Sequence, residues 1–138
     1  KFSKNSFIEK KKEKNLSNSL VDSFKVKTQS SESKVSDLSG GNQQKVVFAK
    51  WYAINTEILI LDEPTKGVDV GAKREIYDLI KDLTKKGVSI ILISSDLPEL
   101  LSLSNRIYVI YEGKMQGEIS SDNASQEKVM TLATGGKI

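Results

Sequence analysis

The sequence predicts an α/β protein: a mostly parallel sheet covered by helices. Three observations predict it. The aliphatic tetrads Ile58–Leu61 and Ile90–Ile93 read as short buried strands. Between them Ile76, Leu79, Ile80 and Leu83 recur at the spacing of an amphipathic helix. Continuous aliphatic strands separated by such helices imply a parallel sheet covered on both faces.

The elements follow in order. Residues 5–26 are predicted to hold one or two helices, with Leu16, Leu20 and Phe24 on one stripe. Thr28–Asp37 is rich in Ser and other polar residues and reads as a loop. A helix follows the glycine pair, with Val47, Trp51 and Ile54 on one side. Beyond the strand Ile58–Leu61, Val70–Lys86 is helical and Gly87 is its C′ residue, where left-handed backbone costs glycine little. Val88–Ile93 is the second strand. Asp96 and Glu99, with Pro98 between them, form an acidic capping box that starts a short helix. Arg106–Tyr111 and Lys114–Ile119 flank Glu112-Gly113 as a hairpin, and Ser125–Ala133 closes the chain as a helix. Trp51, Tyr52, Tyr108 and Tyr111 are assigned to packing rather than to stacking on a base.

Composition narrows the chemistry. The 138 residues suffice for one modest core. No aliphatic run approaches the length that spans a bilayer, and no apolar stretch follows the basic start, so no secretory leader is expected. Cysteine and histidine are absent, which removes disulfides, thiolate nucleophiles, Cys/His zinc sites and imidazole catalysis together. Proton chemistry falls to carboxylates, water or a bound phosphate. The net charge of +3 sits at the N-terminus, where residues 1–37 carry nine Lys against five acidic residues. With no aromatics among those lysines, a solvated helix face fits better than a nucleic-acid arm.

Two short stretches carry candidate chemistry. LSGGNQQK, residues 38–45, puts Ser39, Gly40 and Gly41 at the mouth of a helix. A helix N-terminus presents unpaired N–H groups and partial positive charge, a setting for an anion. The glycines allow close approach to the backbone, Ser39 offers a hydroxyl, and Lys45 adds charge one turn in. The plainer alternative is a Ser N-cap after a flexible loop. ILILDEPT, residues 58–65, ends a buried strand on two carboxylates. Ligands of open parallel sheets bind beyond the carboxyl ends of strands. On an extended chain Asp62 and Glu63 point opposite ways, so one can hold Mg²⁺ through water and the other polarise a water aimed at a phosphate. The plainer alternative here is a strand that ends in acidic turn residues.

Taken together these stretches resemble one family, the ATP-binding cassette (ABC) proteins. LSGGNQQK is similar to their signature motif and ILILDEPT to the Walker B strand with its glutamate. KGVDVGAKREIYDLI at 66–80 resembles the D-loop and the helix after it, and IILISSDLPEL at 90–100 the switch-loop strand. The wording SGGNQQK, GVDVGAK and SSDLPE further resembles the second cassette of bacterial ribose/galactose-type monosaccharide importers.

The resemblance implies the C-terminal part of a P-loop (RecA-like) ABC ATPase domain. Residues 1–45 would be the end of its helical subdomain and 46–138 part of the core. It implies ATP and Mg²⁺ as cofactors, with Asp62 as metal residue and Glu63 and Ser95 as catalytic residues. Ser39, Gly40, Gly41, Asn42, Gln43, Lys45 and Asp69 would be nucleotide-facing. The implied partners are a second cassette, membrane permease subunits and, indirectly, a periplasmic or lipoprotein sugar-binding protein, with no nucleic acid. The implied place is the cytoplasmic face of the bacterial plasma membrane. Two departures qualify this. Nothing reads GxxxxGK[ST], the family's phosphate-cradling loop, so the 138 residues alone are expected to be inactive. Ser95 stands where most of the family has a switch histidine, which points to a weakly hydrolytic or regulatory site. The rival readings are a non-catalytic cassette fragment serving as a scaffold, and an ABC ATPase of a non-transport system.

Overall fold

A computed structural model describes residues 3–4 and 7–138. In chain order the elements are β1 (Ser3–Lys4), β2 (Phe7–Ile8), α1 (Lys10–Ser23), α2 (Gly40–Ala53), β3 (Ile58–Asp62) and α3 (Val70–Lys85). They continue with β4 (Ser89–Ile93), α4 (Leu97–Leu103), β5 (Arg106–Tyr111), β6 (Lys114–Ser120) and α5 (Gln126–Ala133). Short 3-10 turns occupy Val35–Asp37 and Ser121–Asn123. The chain forms two compact units, Lys1–Leu59 with Thr65–Ser89, and Ile60–Pro64 with Ile90–Ile138.

In the first unit the helix expected over 5–26 begins only at Lys10. The residues before it pair as an antiparallel ribbon, Ser3 opposite Ile8 and Lys4 opposite Phe7. Asn5 and Ser6 fall outside the described residues. The stripe on α1 leads to Phe24, which is buried with its ring centroid 5.5 Å from that of Tyr52. Helix α2 corrects one expectation, that Trp51 packs: it is 45% exposed. The buried face of the helix is Gly41, Lys45, Phe48 and Ala49, whereas Val47, Trp51 and Ile54 lie at the surface, Ile54 61% exposed. Gly41 of the helix faces Ala72 of α3, and an apolar stripe alone does not say which side meets a neighbour. Phe48 is the large anchor of this face, and its burial contributes roughly 1.5–3 kcal/mol.

Helix α3 behaves as its periodicity predicts, with Ile76, Ile80 and Leu83 buried and Leu79 half-buried. It ends in a Schellman motif. Gly87 adopts φ +90°, its N–H donates to Thr84 O at 2.9 Å, and the Val88 N–H donates to Leu83 O at 3.1 Å.

Strands β3 and β4 pair. At one end the Ser89 N–H donates to Glu57 O, and at the other the Glu63 N–H donates to Ile93 O, each at 2.8 Å. The two chains therefore run parallel. Leu59 and Leu61 are buried, but Ile58 and Ile60 are 61% and 63% exposed. Ile91 and Ile93 are likewise half-exposed. Cover on both faces was the expectation. Among the described residues only one face of β3, that of Leu59 and Leu61, is covered.

In the second unit β5 and β6 form the expected hairpin. Glu112 and Gly113 take φ +47° and +74°, the left-handed pair of a type I′ turn. The register shifts between Val109 and Ile110, leaving Gln116 as the extra residue. Its Nε2 donates to Gly135 O and Gly136 O at 3.3 and 3.2 Å, tying the end of the chain to the strand. Ile107, Val109 and Ile119 pack with Val129 and Leu132 of α5 as the core of this unit. Gly117 is what admits α5, since a Cβ there would lie 2.9 Å from Leu132 Cδ1. Tyr108 is 44% exposed, with Arg106 5.5 Å over its ring. No helix among the described residues is long and apolar enough to cross a membrane.

Candidate functional site

The first unit carries the glycine mouth. Ser39 is the N-cap of α2 with extended backbone, and its side chain does not cap the helix. The first intrahelical donor is the Gln43 N–H, bonded to Ser39 O at 2.9 Å. The N–H groups of Gly40, Gly41 and Asn42 therefore have no partner within the helix. Asn42 Nδ2 donates to Ser39 Oγ at 2.8 Å, which leaves the hydroxyl proton of exposed Ser39 to be given elsewhere. Asn42 Oδ1 in turn accepts the Lys27 N–H at 2.8 Å, and Gln43 Nε2 donates to Leu38 O at 2.9 Å. Both amides brace the loop that leads into the helix.

The two glycines have different tasks. Gly40 is exposed, and a Cβ there would meet only Gly67 O at 3.9 Å. The backbone at Gly40 is therefore open to solvent. Gly41 is buried, and a Cβ there would lie 2.7 Å from Ala72 Cβ. The expectation that it opens the backbone to an anion is corrected: its lack of a side chain lets α2 approach α3.

Lys45 is corrected too. Instead of adding charge at the mouth, it is 4% exposed. Its Nζ bonds Glu75 Oε2 at 2.5 Å and Lys25 O at 3.0 Å. A buried ammonium demands such partners, and nothing local to residue 45 announces that Glu75, thirty residues on, supplies one. Hydrogen bonding to Lys45 and its charge hold the Glu75 carboxyl below its ordinary value of 4.5; desolvation opposes this and Lys27 adds a smaller lowering. A depressed folded-state pKa means the pair stabilises the fold fully above pH 4.5. That contribution is lost as pH falls through the folded value. In Lys45→Met the Glu75 carboxyl should titrate at higher pH than in the wild type, read from its side-chain carbon shift. Equal midpoints would show that the pair does not form in solution.

Asp69 sits at the N-cap of α3, where its Oδ1 accepts the Ala72 N–H at 2.9 Å. Glu75, Lys27 and Ala72 were not singled out by their residue types. The usable signal was a lysine on the small-residue face of α2, which requires an acidic partner somewhere.

The second unit carries the acidic strand end. Asp62 is exposed as the last residue of β3. Glu63 departs from the extended chain on which opposed side chains were expected: its φ is +48°. The chain thus leaves the extended conformation at Glu63, so strand alternation does not set the direction of its side chain. Glu63 Oε1 accepts the Ser95 N–H at 3.0 Å, so the structure brings Glu63 and Ser95 together through the main chain of residue 95. The neighbouring Ser94 Oγ accepts the Asp96 N–H at 3.0 Å, and Asp96 Oδ1 accepts the Glu99 N–H at 3.2 Å as N-cap of α4. No group of three or more acidic side chains gathers among the described residues. A lone exposed carboxylate suits Mg²⁺, which keeps most of its waters and takes one or two protein carboxylates.

Comparison with known proteins places these sites in context. A family model described as ABC transporter matches residues 3–66. Ribose import ATP-binding protein RbsA of Bacillus licheniformis is 54% identical over 99% of this chain and 28% of that protein. The proteins of the same name from Oceanobacillus iheyensis and Bacillus subtilis are 55% and 54% identical. They are matched over 98% and 99% of this chain, and over 27% and 28% of their own lengths. The chain thus spans little more than a quarter of the curated relatives it matches. Among solved structures, a dimeric ATP-binding cassette in a post-hydrolysis state bound to ADP and Pi is similar, with a TM-score of 0.72 at 22% identity. That match covers 87% of this chain and 52% of the other. Another ATP-binding cassette of an ABC transporter is similar over 96% of this chain and 52% of its own, with a TM-score of 0.73 at 23% identity. At these identities the likeness is one of fold.

Proposed function

We propose the following for a chain that belongs to the ABC transporter family: it is the C-terminal part of an ATP-hydrolysing cassette that energises monosaccharide import across the bacterial inner membrane. Residues 1–45 are the end of the helical subdomain and 46–138 part of the core. The observation that carries the reading is the open N-terminus of α2, with Gly40 leaving room and the Ser39 hydroxyl proton free to donate. The names of the relatives, ribose import ATP-binding proteins, support the sugar.

On this reading α2 does not hold the ATP of its own cassette. Ser39 and the N–H groups after it close over the γ-phosphate of an ATP bound by a second cassette. The helix N-terminus supplies fixed dipoles where negative charge accumulates. Phosphoryl transfer draws its rate mainly from such positioning and charge neutralisation. Asp69 keeps the turn before α3 in place beside that interface. In the chain's own half-site Asp62 would hold Mg²⁺ and Glu63 would orient the attacking water. When bound, the ion neutralises charge on the β- and γ-phosphates. The N–H of Ser95 holds the Glu63 carboxylate, and a serine at this position contributes no positive charge. The half-site using Glu63 is therefore slow or regulatory. Permease subunits respond to closure of the cassettes, a sugar-binding protein delivers the substrate to them, and the cassette lies on the cytoplasmic face of the membrane.

The test is sugar-stimulated ATP turnover by the complete transporter with Glu63→Gln. Partial retention of turnover is the expected result, with the other half-site carrying the remainder. Complete loss would show that the site using Glu63 is the principal hydrolytic one.

A further inference from the structure

We infer that Lys45 and Glu75 are positioning residues: their ion pair fixes the Ser39 hydroxyl and the helix capped by Asp69 as one piece. The inference rests on the proposed role of Ser39 and adds to it the residues that aim it.

The connection can be followed atom by atom. Asn42 Nδ2 orients Ser39 Oγ at 2.8 Å, and Asn42 Oδ1 is held by the Lys27 N–H at 2.8 Å. Lys27 Nζ reaches Glu75 Oε1 at 3.4 Å, while Glu75 Oε2 takes Lys45 Nζ at 2.5 Å. Lys45 Nζ returns to Lys25 O at 3.0 Å. Glu75 thus uses its two oxygens on two different segments, α2 and the turn and irregular stretch at residues 25–27. On the α3 side, Gly41 lies against Ala72, whose N–H is the one that Asp69 caps. The hydroxyl that faces the nucleotide is thus tied through Asn42 and Lys27 to Glu75 and Lys45, and the capped start of α3 meets the same helix through the close approach of Gly41 to Ala72.

An apolar pair at 45 and 75 would also pack α2 on α3. It would not hold residues 25–27, and so would not fix Asn42 or the direction of the Ser39 hydroxyl. Lys45 is 4% exposed, so the bond to Glu75 is shielded from salt and water at one end. The expected signature is kinetic. A signature helix aimed badly leaves nucleotide affinity alone, because another cassette holds the ATP. It slows the step in which the two cassettes close.

The experiment measures sugar-stimulated ATP turnover of the complete transporter in lipid, with thermal melts alongside, for Lys45→Met, Lys45→Arg, Glu75→Gln and Ser39→Arg. For Lys45→Met we expect kcat to fall about 10- to 100-fold, the scale of a small misplacement, with KM for ATP unchanged. Lys45→Arg should recover most of the rate, and Glu75→Gln, which keeps an acceptor but not the charge, should fall between. If Lys45→Met fails to fold, the kcat/KM split of Glu75→Gln decides. Wild-type kcat in Lys45→Met or Glu75→Gln overturns the inference. So does a loss that vanishes once rates are referred to folded protein, or one that Lys45→Arg does not relieve. Ser39→Arg separates the two levels: if it is inactive while Lys45→Met is fully active, only the positioning role fails, whereas an active Ser39→Arg removes the proposed function beneath it.

Discussion

On the proposed function, arginine in place of Ser39 should lower sugar-stimulated ATP turnover of the assembled transporter by about 100-fold or more, the scale seen when a preorganised donor to a reacting group is lost. Ser39 is exposed at the first turn of α2, and the position beside it is open, with no atom nearer than 3.9 Å to a Cβ on Gly40. The substitution therefore folds. What changes is the approach: a long side chain occupies the space through which a phosphate would reach the N–H groups of the helix. Asn42 Nδ2 also loses its acceptor at Ser39 Oγ. Turnover measured at saturating ATP separates this from weaker nucleotide binding. Undiminished turnover would mean that the α2 N-terminus is a bystander and that the chain serves as scaffold.

The second large effect concerns stability. Gly41→Ala puts a methyl group 2.7 Å from Ala72 Cβ, inside any real contact distance, and Val68 Cγ1 is only 3.7 Å away. Overpacking of this kind costs about 1–3 kcal/mol. Alanine in place of glycine returns about 1 kcal/mol of helix propensity. A net loss of up to about 2 kcal/mol is expected, as local opening of α2 and α3 read by amide hydrogen exchange in the complete protein. Adding Ala72→Gly should restore the protection of α2, since it removes the atom that is struck. Protection unchanged in Gly41→Ala would show that α2 shifts freely along α3, against the close packing described.

The motifs were legible because each is a local pattern tied to a local geometry. Asp96 announces α4 and caps it, and Gly87 ends α3 in the left-handed conformation that its position requires. The Ser39 N-cap follows from one serine before two glycines. What escaped depends on distant partners. Trp51 was expected to pack but lies half-exposed, and the buried face of α2 is instead Gly41, Lys45, Phe48 and Ala49, a choice set by neighbours distant in sequence. Lys45 reads as a cation for a ligand until Glu75 is found beside it. The course of the chain at Glu63 was illegible for another reason. Glutamate has no preference for positive φ, so nothing in its identity predicts that the strand ends there in a left-handed turn.

That turn sets stability and turnover against each other. A non-glycine residue in the left-handed region costs about 1–2 kcal/mol relative to the right-handed one. Glycine at the same place would be at ease. A library of this gene selected for heat resistance alone should therefore enrich Glu63→Gly, and with it lose the carboxylate held by the Ser95 N–H. If Glu63 acts as proposed, selection for ATP turnover would reverse that drift. The conformation of one backbone unit makes residue 63 a place where hardier variants and working variants diverge.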